Sequence, residues 1–321
     1  MAQVCQSKSL SDEARWTTVP EGPARTRFLA VAGVTAAFVL LLLAAPMLLS
    51  FDPNLTNLSQ ALRSPGQDGF VLGSDNLGRD VLARTLAGGT ESICMAFAVL
   101  AIVVGVGVAA GLVAGYFRGA VDYVVNKVVT AFQAFPAFVL AVAIAGILGQ
   151  GMFNMVLAIA AVYWTQFARL ARGVTLSLRA SECLDAARTC GAPTGQILTK
   201  YLLPQVAGPV AVLAALSLSD IVLTMAGLSF IGLGPERPTN EWGTMIAEAQ
   251  PSFQHALWCM LVPMAALFVS VVLFNLLGDT LRDALDARSQ QVVEAARKPR
   301  LRNRLRENGR RKASREGKEP A

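Results

Sequence analysis

Three residues of the 321-residue chain stand out by type and setting: a carboxylate at Asp220, an amide at Gln133 and a proline at Pro136, all inside long apolar runs. A carboxylate at the centre of a bilayer costs at least about 2.5 kcal/mol unless it faces a partner or water. Asp220 therefore has three readings: it faces a hydrophilic pathway, it hydrogen-bonds within a helix bundle, or it sits at the membrane interface. Pro136, in the run AFPAF, removes one backbone hydrogen bond, and the carbonyl it frees must be satisfied by neighbours or water. With Gln133 it marks a second candidate point on a pathway, with plain packing as the alternative.

Bond-making chemistry is poorly supported. No GxxxxGK[ST] loop is present, so any ATP must be handled by a partner. One histidine, His255, rules out HExxH and reads as a boundary residue at the mouth of the last apolar run. Cysteines 5, 94, 183, 190 and 259 are odd in number and lack CxxC or metal-ligand spacing, so reduced thiols and no metal site are expected. The stretch Gly227 to Gly232 is GxSxxG, not the GxSxG of a nucleophile elbow, and it lies in an apolar run. The expectation is a chain without catalytic residues, cofactor or metal.

The elements that position these residues are membrane helices. Hydrophobic residues make up 54% of the chain and charged residues 16%, against roughly 25% charge in soluble domains. Apolar runs of spanning length cover 28–50, 92–116, 128–148, 152–168, 206–233 and 257–278, which predicts an all-α polytopic protein with six transmembrane helices. The first run lacks a convincing cleavage site before FDPN and is read as a retained helix. Six spans place both termini on one side, and 24 of the 28 basic residues fall there, which makes that side cytoplasmic. The expected organisation is a cytoplasmic segment 1–27, a first span 28–50, an extracytoplasmic loop 51–91, a core 92–279 with a cytoplasmic loop 169–205, and a basic cytoplasmic tail 280–321. The tail run RKPRLRNRLRENGRRKASREGK carries no interleaved aromatics, so it is read as a topology or anionic-lipid element and not as a nucleic-acid site.

Between spans, the pattern is informative in four places. The segment 72–92, LGSDNLGRDVLARTLAGGTES, mixes Val81, Leu82 and Leu86 with charges and reads as an interfacial amphipathic helix punctuated by glycine turns. Gly107, Gly111 and Gly115 recur every four residues and clear one helix face for close approach by another. The outer segment 234–256 carries a short amphipathic piece around Trp242, Met245 and Ile246. In the cytoplasmic loop, Ser181 reads as an N-cap, Glu182 and Asp185 suit a helix start, and Gly191 ends that helix. Pro193 then opens a second short helix that Leu203 and Pro204 close. The result is a helical hairpin, either a plain surface feature or a knob for docking into another protein.

The run DAARTCGAPTGQILTKYLLP resembles the EAA loop of bacterial ABC-importer permeases, with spacing met by Asp185, Ala186, Ala187, Gly191, Leu203 and Pro204. Asp185 stands where that family has Glu, and Tyr201 where it has Ile. LGSDNLGRDVLAR (72–84), AGLSFIGLGPERPTNEWGTMI (226–246) and FNLLGDTLRDALDAR (274–288) resemble segments of the second permease in dipeptide, oligopeptide and nickel importers. The resemblance implies a type I importer permease fold in a bacterial cell (inner) membrane, forming half of a pathway for peptides or nickel and other metal complexes. It also implies as partners a homologous second permease, two ATP-binding subunits docked through 182–204, and an extracytoplasmic solute-binding protein. The competing reading is a non-transporting anchor that uses its basic tail on lipid or nucleic acid. A gradient-driven transporter fits less well, because intramembrane charge is nearly absent beyond Asp220 and no inverted repeat is evident.

Overall fold

The computed structural model describes residues 23–48 and 52–285. The first 22 residues, with Cys5, and the tail from 286 lie outside the described residues. Nine helices of eight residues or more carry the described fold: α1 (Pro23–Leu48), α2 (Val81–Phe117), α3 (Gly119–Gln133), α4 (Ala137–Leu148), α5 (Met152–Leu178), α6 (Glu182–Thr189), α7 (Thr194–Ile231), α8 (Trp242–Ala249) and α9 (Trp258–Leu285). Among the described residues there is no strand, only an isolated bridge between Ser74 and Asp80.

Four helices, α1, α2, α7 and α9, are long and apolar enough to cross a membrane, and five if α3 and α4 together count as one. The six-span expectation is thus met only in part. The helix α5 is long enough but carries Gln166, Arg169 and Arg172 along its second half, and it packs against α2, α3, α4 and α7. The expected span 128–148 is two helices that meet at 93°. Pro136 sits at the N-cap of α4 with extended backbone, so the chain turns where the proline cannot donate.

The second span is also longer than expected. Of the residues 72–92 read as an interfacial helix, 72–80 are turns and 81–92 are the first turns of α2, which starts at Val81 because the Asp80 carboxylate accepts from the amides of Leu82 and Ala83 at 2.8 and 3.3 Å. From there α2 runs unbroken for 37 residues, about 55 Å at 1.5 Å per residue.

Lipid offers no hydrophobic drive for helix pairing, so membrane helices associate through close packing of small residues. Among the helices up to α8, α2 and α5 form the most extensive pair. A Cβ on Gly107 would lie 2.5 Å from the Trp164 carbonyl oxygen, and one on Gly115 would lie 2.7 Å from the Thr175 Cβ. Gly111, between them, faces the Ala168 carbonyl and Ala171 even more tightly. The glycine stripe is a backbone-contact seam, as the four-residue spacing predicts. Around it a core of Ile93, Val99, Met155, Ile159, Phe167, Ile221, Met225 and Leu228 is almost fully buried, whereas Leu40, Ile147, Phe153 and Phe268 point outward.

Candidate coupling element, pathway residues and outer ion cluster

The hairpin between α5 and α7 is built from short-range rules. Ser181 has extended backbone, and its carbonyl accepts from Leu184 and Asp185 at 3.0 and 3.2 Å. Its hydroxyl makes no capping bond, so the cap is carried by backbone alone. Glu182 and Asp185 place negative charge in the first turn and Arg188 positive charge in the last, each matched to the helix dipole. Gly191 sits at φ +76°, its amide donates to the Arg188 carbonyl at 2.9 Å, and the Ala192 amide donates to the Ala187 carbonyl at 3.1 Å. That double bond pattern closes α6 as a Schellman motif.

The second half departs from the expected short helix. Leu203 and Pro204 do not close it; the chain runs on as α7 from Thr194 to Ile231, with a π-helical turn at Ile197–Leu202. Pro204 lacks the amide that a regular turn needs, and the widened turn absorbs the defect without ending the helix.

Buried Leu184, Ala187, Ile197 and Leu202 pin this knob to the bundle, each larger side chain contributing roughly 1.5–3 kcal/mol on burial. Asp185, Gly191 and Leu203 face outward, Ala186 and Pro204 are half-buried, and Ala187 packs inward. Asp185 pairs with Arg188 at 2.9 Å. The Arg188 guanidinium in turn lies over the Tyr116 ring, 5.6 Å from its centre, so α6 touches the end of α2. At the same end of the bundle Arg172 grips Asp122 with two guanidinium hydrogen bonds, tying α3 to α5.

The three pathway candidates separate. Gln133 Nε2 donates to Thr165 Oγ1 at 3.3 Å and lines a cavity of about 570 Å³ between α3, α4, α5 and α7. Pro136 makes the bend beside that cavity but does not line it. Asp220 is on the α7 surface, exposed, with no side-chain hydrogen bond or ion pair among the described residues. It stands one turn before Thr224, whose hydroxyl bonds Tyr163 at 2.8 Å. The structural hydrogen bond considered for Asp220 is not made among the described residues.

At the opposite end, residues far apart in sequence assemble a buried ion cluster. Arg84, 2% exposed, donates to Asp75 at 2.9 Å, Glu248 at 3.1 Å, Asn240 Oδ1 at 3.0 Å and the Thr239 carbonyl at 3.1 Å. Arg79 bridges the same two carboxylates, at 2.6 Å to Asp75 and 2.8 Å to Glu248. Glu91 accepts from the Thr239 hydroxyl and the Asn240 amide at 2.6 and 3.1 Å. Next to it Trp242 is fully buried, and its indole donates to the Thr85 carbonyl at 2.8 Å. Glu241 caps α8 by accepting from the amides of Gly243 and Thr244 at 2.9 and 2.8 Å. Burial raises the Glu241 carboxyl above the ordinary carboxylate range, only partly offset by those amides.

Comparison with known proteins decides the family. The model for "Binding-protein-dependent transport system inner membrane component" matches residues 107–291. The chain belongs to this family. The dipeptide transport system permease protein DppC of Alkalihalophilus pseudofirmus is 35% identical over 260 residues, covering 80% of this chain and 85% of that protein. The nickel transport system permease protein NikC of Escherichia coli K12 is 37% identical over 253 residues, covering 79% and 91%. The oligopeptide transport system permease protein OppC of Haemophilus influenzae is 33% identical over 258 residues, covering 80% and 83%. Among solved structures, the inward-facing MetNI methionine ABC transporter matches 60% of this chain and 93% of its own with a TM-score of 0.48 at 19% identity.

In this inner membrane transport component, the ion cluster is what reading the sequence did not find. Asp75, Arg79 and Arg84 lie in the 72–84 stretch and Asn240 in the 226–246 stretch, both singled out by resemblance, yet nothing local says that they meet across more than 150 residues. The signal was available as an excess of charge in an otherwise apolar chain: such charges are buried only when paired. Among the described residues no group of three or more His, Cys, Asp or Glu has the geometry to hold a metal ion.

Proposed function

We propose that the chain is the transmembrane permease subunit of an ATP-driven importer for peptides or for nickel and other metal complexes in a bacterial inner membrane. It crosses the membrane six times with both termini cytoplasmic, has the type I importer permease fold, and pairs with a homologous permease to enclose the pathway. The observation that carries this reading is the extent of the family match, about 80% of the chain against permeases of peptide and nickel systems. The geometry supports it at one end: the knob formed by α6 and the start of α7 presents Asp185, Gly191 and Leu203 outward on an apolar base, a shape suited to the cleft of an ATP-binding subunit.

Two such ATPase subunits would hydrolyse the nucleotide, and an extracytoplasmic binding protein would deliver solute near the ion-cluster end. ATP drives transport only if the ATPases contact the inward-open and outward-open states with different affinity, and the knob is where that difference would be felt. Gln133, Asp220 and the bend at Pro136 are the proposed pathway positions in this subunit. The test is to tag the chain, solubilise membranes gently and identify what copurifies. Recovery of two P-loop ATPases and a second polytopic permease supports the importer. Repeated isolation without an ATPase favours a lipid-bound anchor instead.

A further inference from the structure

The cavity beside Gln133 has polar valences that the protein leaves open. Thr165 commits its hydroxyl proton to the Val162 carbonyl at 2.8 Å, so towards Gln133 it can only accept, which fixes the Gln133 amide with Nε2 facing Thr165. The other end of that amide, Oε1, is buried and has no hydrogen-bond partner. An unsatisfied buried acceptor costs about 1–3 kcal/mol, so it calls for a donor from outside the chain. In the same cavity Arg169 makes no ion pair or hydrogen bond among the described residues, and neither does the Gln166 amide. The volume, about 570 Å³, falls in the range of small-molecule sites, roughly 300–1,000 Å³.

An orphan acceptor and an unpaired guanidinium in one cavity are complementary to a molecule that carries an N–H donor and a carboxylate. We propose that Gln133, Gln166 and Arg169 form a solute station within the permease that takes the free carboxylate and an N–H of a short peptide. The station rests on the importer reading above and narrows it to peptides. Arg169 supplies a planar pair of donors suited to a carboxylate, and a rotation of the Gln133 side chain that turns Oε1 out of the wall lets it accept the solute's N–H. The site lies about 25 Å along α5 from Met152 at 1.5 Å per residue, one turn before the Arg172–Asp122 tie. Phe132 and Phe135, which also line the cavity, would cover the apolar part of such a solute.

The complete transporter, reconstituted in proteoliposomes with its binding protein and internal ATP, provides the test. Uptake of alanylalanine is compared with uptake of its C-terminal amide for the parent, Arg169→Gln and Arg169→Lys. The binding protein is common to all three, so its own preference cancels when acid-to-amide ratios are compared between variants. Loss of a charged hydrogen bond predicts a fall of about tenfold or more in uptake of the acid by Arg169→Gln, an amide rate within about twofold of the parent, and recovery of most acid uptake in Arg169→Lys. Acid and amide falling together would overturn the station, since that is the signature of packing or of a lipid headgroup held by Arg169. An unchanged ratio would overturn it too. A parent transporter that couples ATP hydrolysis to nickel uptake but carries neither peptide removes the station and leaves the importer reading intact. A chain that never recovers an ATPase removes both.

Discussion

Arg84→Met is the most informative single perturbation of the ion-cluster end. The arginine is 2% exposed and serves four acceptors on three chain segments. Its loss leaves Asp75 and Glu248 still held by Arg79, but orphans Asn240 Oδ1 and the Thr239 carbonyl, each at about 1–3 kcal/mol. Adding the weakened charge pairing gives about 3–5 kcal/mol, the usual cost of breaking a buried ion pair. A local reporter is at hand, because Cys259 is buried under the cluster with its thiol on the Ser74 carbonyl at 3.4 Å. With cysteines 5, 94, 183 and 190 replaced by serine, maleimide labelling of Cys259 reads opening of this segment. If labelling follows the open population, 3–5 kcal/mol corresponds to an acceleration of roughly 10² to 10³·⁵-fold at 1.4 kcal/mol per decade. Labelling within threefold of the parent would refute the argument that Arg84 holds the outer segments together.

Three further outcomes are expected. Gly191→Val must hold a β-branched residue at φ +76° in otherwise open space, a strain of at least about 1–2 kcal/mol, so ATP-driven uptake should collapse while membrane insertion by fractionation stays normal, and Gly191→Asn should retain more uptake. Gly111→Val should force α2 off α5 and cut the yield of folded, monodisperse protein in detergent several-fold, whereas the same change at Gly105, which has nothing near it, should not. Because burial raises Glu241 above its ordinary value of 4.5, the cost of burying its charge is absent below that value and is felt as pH rises through the folded-state pKa. Thermal unfolding in detergent should therefore show the parent losing stability relative to Glu241→Gln as pH rises from 5 to 8, and a constant difference would exclude the titration.

The sequence made the long helices and their seam readable because both are periodic and local. Runs of apolar residues set α1, α2, α7 and α9, and the Gly107, Gly111 and Gly115 spacing set the face on which α5 lies. Gly191 and the acidic first turn of α6 were readable for the same reason: a cap needs only its neighbours. Harder to read were the places where tertiary contacts override a local rule. Pro204 looks like a stop, but a π-helical turn carries the helix through it. Gly88 and Gly89 look like turns, but they lie inside α2, where the Asn240 carbonyl and the Trp242 ring pack against them. The partners of Asp75, Arg84, Glu91 and Glu248 were not readable at all, since their contacts join segments that only the complete bundle brings together.

The unbroken run of α2 has a mechanical consequence. One end is fastened through Arg84 to the outer ion cluster, and the other meets Arg188 through Tyr116, beside the knob. With the glycine seam against α5, centred on Gly111, as its fulcrum, α2 is a lever with arms of about 40 Å to Arg84 and about 8 Å to Tyr116, and a tilt of about 5° moves those points by about 3.5 and 0.7 Å in opposite senses. Arg188 and Arg84 lie too far apart to sense one another's charge through salt water, where fields die within about 10 Å. A stiff rod needs no such field: a push on one tip arrives at the other as displacement, with its direction reversed.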